Sequence, residues 1–244
     1  MSHAEGVTAL DLMVYTRSFS TLVSAGVSLV RCLDILQEIS DQPLVSATAE
    51  LFRQVSERER TLSDAMKERP DVFTRLCVQM MRAGEIGGVL DEALAQLADL
   101  VEADCVVGEA GRTHFRSLLI PPDKGLSFGE CAPHDRLRLL SVSCRMLGMM
   151  LSAGVPLAEG PHNALSTAAD ILPAGPEREA LAGIVQRMQE GGELHQHLQL
   201  PFLPRYLPTL ARIGVETATL DRMFEKAAQL FEYQRRHYLL KRAE

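Results

Sequence analysis

Apolar residues recur at every third or fourth position through most of the chain, the spacing of helices that bury one side. Residues 9–24 place Leu12, Tyr15, Phe19, Leu22 and Val23 on one stripe. Gly26 is placed to stop that helix, because a residue without Cβ takes the left-handed conformation of a helix C-terminus. Ser28 predicts the N-cap of a second helix, with Leu29, Leu33, Leu36 and Ile39 on its inner face. A break at SDQP (40–43) precedes a third helix carrying Ala47, Leu51 and Val55. Thr61 predicts the cap of a fourth, whose Leu62, Ala65 and Met66 point inward. The fifth holds Leu76, Val78, Met80 and Met81 and is expected to end at Gly84, with residues 85–88 as the bend. The sixth runs from Val89 to Val107 and gathers Leu90, Leu94, Leu97, Ala98 and Val101.

The same plan then starts again. SAGVSL at 24–29 returns as SAGVPL at 152–157, where Gly154 answers Gly26 and Pro156 is expected to open the helix in place of Ser28. Leu194 and Leu198 answer Leu62 and Met66; residues 201–214, ending in Gly214, answer 71–84; residues 219–232 answer 89–102. Small offset changes place insertions in loops. Between the copies, residues 112–135 lose the helical pattern and gather Pro and Gly, a linker signature. The expected architecture is all-α, with two tandem antiparallel six-helix bundles at 1–111 and 136–244 joined by a linker at 112–135.

Composition agrees with helices. Of the 244 residues 46% are hydrophobic but only 5% aromatic, with no Trp; Leu, Ala, Met, Glu, Gln and Arg lose little side-chain freedom in a helix. The formal net charge is -7, which speaks against nucleic acid, where clustered Lys and Arg displace phosphate counterions. The first copy is the more acidic: residues 15–104 hold nine basic and fifteen acidic residues, against eight and ten in 143–235. Five cysteines are scattered and form no C-x-x-C, so free thiols are expected rather than a disulfide framework or zinc. The longest uncharged stretches, Ser18 to Val30 and Met146 to Ala158, are 13 residues each, short of the ~20 that a spanning helix needs.

SAGVSL, the LSDAM–PDVF segment and RAGEIGGVLDEALAQLADLVE, in that order, resemble the type II secretion system F domain, the platform family of type II secretion and type IV pilus assembly. Gly84, Glu85, Gly88 and Leu90 match its Gly-Glu-x-x-Gly-x-Leu signature. In the second copy Gly214 and Leu220 remain, while Val215 replaces the Glu and Ala218 the second Gly. The resemblance implies two cytoplasmic six-helix bundles in a non-enzymatic platform that links a secretion ATPase to inner-membrane assembly components. Where that family has membrane helices, this chain has residues 112–135 and the terminal RRHYLLKRAE. The expectation is a cytoplasmic scaffold, or one peripheral at the cytoplasmic face of the inner membrane, with self-association left open.

Candidate chemistry is sparse. Gly26, Gly84, Glu85, Gly88, Leu90, Gly154, Gly214 and Leu220 form the motif set, read as structural rather than as a contact surface for a partner: glycines for tight bends, Glu85 as a local cap or salt bridge. His195 and His197 are two apart and so point to different sides of a helix, which leaves no metal site. Asp91 and Glu92 suit the start of a helix by its dipole. No nucleophile–base order, P-loop or dinucleotide fingerprint occurs, so no catalytic, metal or cofactor residue is assigned. The basic tail, Arg235, Arg236, Lys241 and Arg242, is either a solvated helix end or a peripheral contact with anionic lipid. The favoured function is a scaffold binding protein partners of a secretion or pilus machine. A free-standing cytosolic adaptor and an enzyme with an unrecognised site are the other readings.

Overall fold

A computed structural model describes residues 9–39, 60–70, 73–107, 113–115 and 127–241. The expected third helix, with Ala47, Leu51 and Val55, lies outside the described residues, as does Arg242. The chain divides between Lys124 and Gly125 into two compact units.

The first unit contains α1 (Ala9–Ser24), α2 (Leu29–Ile39), α3 (Leu62–Lys67), α4 (Arg75–Gly87) and α5 (Leu90–Asp104). α1 packs mainly on α5, and α4 forms a hairpin with α5 while also holding α3. Six residues are too few for α3 to persist alone; it forms because Leu62, Ala65 and Met66 are buried and Thr61 Oγ1 accepts the Asp64 N–H at 3.2 Å. Each Leu or Met so buried contributes about 1.5–3 kcal/mol. The core also takes Leu12, Tyr15 and Phe19 from α1, Met80 and Met81 from α4, and Leu94, Leu97 and Val101 from α5. Leu22 and Val23, expected on the same stripe as Phe19, are only half-buried.

Two boundaries differ from expectation. α4 does not end at Gly84 but runs one turn further to Gly87. α5 stops at Asp104 rather than continuing to residue 107; Cys105–Val107 instead forms β1, antiparallel to β2 (Thr113–Phe115). Two consecutive valines favour an extended chain over a helix. Apart from this three-residue ladder, the described residues are all-α.

The second unit holds six helices among its described residues: α6 (Pro133–Ser152), α7 (Ala164–Ala169), α8 (Pro176–Gln189), α9 (Leu194–His197), α10 (Tyr206–Glu216) and α11 (Leu220–Lys241). Its central pair is α6 and α11. Ser141 Oγ donates to the Ala228 carbonyl at 2.9 Å, and a Cβ on Gly148 would stand 2.8 Å from the Asp221 carbonyl oxygen, so the two backbones approach closely. The expected helix start at Pro156 is not found. α7 opens at Ala164, because Asn163 has a side chain that caps it, accepting the Ser166 N–H at 2.9 Å. Within residues 112–135, read as a linker without helical pattern, the chain forms β2, a 3-10 turn at Phe128–Glu130 and the first turn of α6. Glu130 holds the 3-10 turn by accepting the Ser127 N–H at 2.7 Å, and Pro133 suits the opening of α6, where its missing N–H is not needed. Among the described residues, no helix is long and apolar enough to cross a membrane.

Candidate functional site

The sequence motif becomes one turn, built twice. In the first unit the turn joins α4 to α5. Gly88 follows the last helical residue with φ +68°, in the left-handed region that costs an L-residue with a Cβ about 1–2 kcal/mol. Its N–H reaches the Glu85 carbonyl at 3.3 Å, and the Val89 N–H reaches the Gly84 carbonyl at 2.9 Å. This pair of backbone bonds satisfies carbonyls that a helix end leaves open. Gly84 therefore has a different task from the one expected of it. It sits inside α4, where a Cβ would come within 2.5 Å of the Ala93 Cβ and 3.2 Å of the Leu90 Cα. Its absence of a side chain lets α5 lie against α4.

The second unit repeats this between α10 and α11. The Ala218 N–H reaches the Val215 carbonyl at 3.3 Å and the Thr219 N–H the Gly214 carbonyl at 2.9 Å. Ala218 takes φ +51°, the only positive φ at a non-glycine among the described residues. A Cβ on Gly214 would stand 2.8 Å from the Leu220 Cα. Leu90 and Leu220, both half-buried, open the second helix of each hairpin. Gly26 and Gly154 form a second equivalent pair at the ends of α1 and α6, with φ +79° and +82° and matching bonds from Val27 to Leu22 and from Val155 to Met150.

Glu85 is where the two turns part. Both its carboxylate oxygens accept the Ser63 N–H, at 3.2 and 3.4 Å. With Thr61 it satisfies two of the open N–H groups at the start of α3, where negative charge is also favoured. The capping role expected from sequence is thus a tie across 22 residues, from one helix to the start of another. At the corresponding place in the second unit Val215 is 54% exposed and ties nothing. The start of α9 has no side-chain cap; Glu193 instead faces the His195 Nδ1 at 3.1 Å. Among the described residues, no group of His, Cys, Asp or Glu is placed to hold a metal ion.

Outside the turns, the paired helices α5 and α11 differ in charge. α5 exposes Asp91, Glu92, Asp99 and Glu102 and no basic residue. Arg17 of α1 bridges two of these, with hydrogen bonds of 2.6 Å to Asp99 and 2.7 Å to Glu102. Its bond to Glu102 holds that carboxyl below its ordinary pKa. α11 exposes Arg222, Lys226, Arg236 and Lys241, together with Leu230, Tyr233 and Leu240, and none of its carboxylates is exposed. Arg235, read from sequence as part of a solvated basic tail, is buried and paired with Glu232 at 3.1 Å. Exposure is what sequence could not assign along this helix; the charge difference between the copies was its one signal. The thiols of Cys32, Cys77, Cys131 and Cys144 are buried, and none of them is in a disulfide. Burial, with a smaller effect of Glu225, pushes Cys144 up to about 12.

Comparison with known proteins covers both units. Residues 15–106 and 143–244 each match the family model for type II secretion system (T2SS) protein F. A type IV pilus assembly protein PilC of Myxococcus xanthus is 44% identical over 93 residues, covering 38% of this chain and 22% of that protein. A type II secretion system protein F of Vibrio cholerae is 37% identical over 97 residues, 40% of this chain and 24% of that protein. A type 4 fimbrial assembly protein PilC of Pseudomonas putida aligns at 24% identity over 297 positions, which span 90% of this chain and 73% of that protein. Each match to the first two of these relatives spans less than a quarter of the relative's length.

Proposed function

The chain belongs to the type II secretion system protein F family, and from that premise we propose that it is a non-enzymatic scaffold of a secretion or pilus-assembly platform. In this reading residues 1–111 and 136–244 are tandem antiparallel six-helix bundles joined by residues 112–135, at the cytoplasmic face of the inner membrane. The family implies partners within the secretion or pilus machinery; a secretion ATPase and inner-membrane assembly components are the ones proposed. Gly26, Gly84, Gly88, Leu90, Gly154, Gly214 and Leu220 serve the folding of the helical hairpins rather than contact with a partner, and Glu85 serves α3.

One observation carries the reading: each family-matched segment holds the same α-hairpin turn, with the same two backbone bonds. The acidic exposure of α5 suits a basic partner surface, whose attraction is screened within about 8–10 Å at physiological salt. The test is purification of tagged chain from its own cell at low and high salt, with identification of what accompanies it. Recovery of a secretion or pilus component, weakened by salt, is expected. Recovery of none at either salt, beside firm binding to an unrelated cytosolic protein, gives the function to a free-standing adaptor. Self-association is a further proposal from the same premise, measured by sedimentation.

A further inference from the structure

α11 carries a surface that the hairpin does not use. It is 22 residues long, about 33 Å at 1.5 Å per residue. Phe224, Ala227, Ala228 and Phe231 are buried on one side. The opposite side presents Arg222, Lys226, Leu230, Tyr233, His237, Leu240 and Lys241. Spacings of three and four place them within one face roughly 100° wide. Leu230 is 42% exposed, Tyr233 69% and Leu240 63%. Arg236 borders that face and is also exposed.

In a chain of net charge -7, this face has no exposed carboxylate. Lys226 Nζ donates to the Gln229 side-chain oxygen at 3.3 Å, and Arg222, Arg236 and Lys241 form no ion pair with any described carboxylate. The positions 226, 230, 233, 237 and 240 follow the alternating four-and-three spacing with which one helix receives another. We infer that this face of α11 docks an acidic amphipathic helix of a partner protein. Leu230, Tyr233 and Leu240 meet the partner's apolar stripe, and Arg222, Lys226, Arg236 and Lys241 meet its carboxylates.

A lipid surface fits less well. A helix that lies in a bilayer separates its apolar stripe from its basic face. On α11 the basic and apolar residues interleave along one stripe, and the other side of the helix is occupied by the core of the unit. Sinking Tyr233 and Leu240 into acyl chains would carry Lys226 and Lys241 with them, whereas a facing helix with carboxylates at its edges satisfies both kinds of residue.

This inference concerns the chemistry of one face and does not depend on a secretion role, so its test uses purified full-length chain. The probe is a synthetic amphipathic peptide about three heptads long, with Leu and Ile at the inner positions and Glu at the outer ones, titrated by fluorescence anisotropy at low salt. Binding is expected, with no binding of the same peptide carrying Lys in place of Glu. The double variant Arg222→Glu with Arg236→Glu should weaken it roughly tenfold or more, since removal of desolvated charge partners at an interface is costly. Tyr233→Ala with Leu240→Ala should weaken it independently, and Glu92→Arg on α5 should leave it unchanged. All these positions are exposed, so a melting curve confirms that each variant is folded. Failure of the acidic peptide to bind, equal binding of the Lys peptide, or indifference to the Arg222 and Arg236 changes overturns the inference. Flotation of the chain with phosphatidylglycerol vesicles, lost in the same variants while the peptide does not bind, assigns the face to lipid instead.

Discussion

At the α4–α5 turn a glycine holds the left-handed position, and at the α10–α11 turn an alanine holds it, at φ +68° and +51°. The two backbone bonds that close each turn agree to within 0.1 Å. Yet Glu85 reaches across to cap α3, while Val215 points into solvent. The comparison separates what the hairpin needs from what it tolerates. It needs the close approach of two helices at Gly84 or Gly214. It tolerates a strained alanine, and it forms without the carboxylate tie.

The close approach should give the largest effect. Gly84→Ala and Gly214→Ala gain up to ~1 kcal/mol of helix propensity but drive a Cβ to 2.5 and 2.8 Å from its neighbours. Overpacking of that kind costs more, so each should lose about 2–3 kcal/mol in urea denaturation. The rescue differs between the turns. At Gly84 the nearest atom is the Ala93 side chain, so Ala93→Gly should restore part of the loss. At Gly214 it is the Leu220 backbone, and no single side-chain change should do so. Equal rescue at both sites would show that the two approaches are not governed by these contacts.

Exchanging the left-handed residues comes next, with opposite signs. Gly88→Ala should destabilise the first unit by about 1 kcal/mol, and Ala218→Gly should stabilise the second by about 0.5–1 kcal/mol, the relief of strain being partly offset by glycine's greater entropy loss. Hydrogen exchange at the amides of α4–α5 and α10–α11 localises each change. A loss on Ala218→Gly would mean that its methyl group earns more than the strain costs.

The carboxylate tie is smaller. Glu85→Ala should cost about 0.5–1 kcal/mol, as loss of a helix cap does, read in the same denaturation experiment. Val215→Glu, on an exposed site, should stay within about 0.5 kcal/mol. The last measurement leaves stability untouched. In a chain carrying Cys105→Ser, thiol reagents should label Cys32 and Cys77 only as the first unit opens, and Cys131 and Cys144 only as the second does. Burial holds Cys144 near 12, so its labelling should follow unfolding rather than pH between about 7 and 9. The order of labelling then reports which unit is weaker.

Much of this was legible in sequence. The inner faces of α1, α3, α4 and α5 follow from apolar spacing, and Thr61 was identifiable as a cap by its place before Leu62. Gly84 was harder. A glycine near a helix end reads as a stop, but the positive φ belongs to Gly88, four residues on. Only the presence of Ala93 across the hairpin tells the two roles apart, and that is a tertiary fact. Pro156 misled for a similar reason: alignment with Ser28 suggested a start, while the capping side chain was Asn163, after the Gly160–Pro161 interruption. The two-stranded ladder escaped because the apolar pattern of α5 continues through Val106 and Val107. On α11, periodicity gave the helix but not its exposed side, since Leu230 and Phe231 are equally apolar and only packing against α6 makes one inner and the other outer.

The hairpin is fastened by main-chain atoms, and this has a consequence for how a duplicated chain can change. Neither the 2.9 Å bond to Gly84 nor its twin at Gly214 uses a side chain. Every outward position around the joint is therefore open to drift without loss of the architecture. Glu85 can be Val215, and Glu92 can be Arg222, in copies that keep the same joint. One kind of joint thus presents an acidic exposed face on α5 and a basic one on α11.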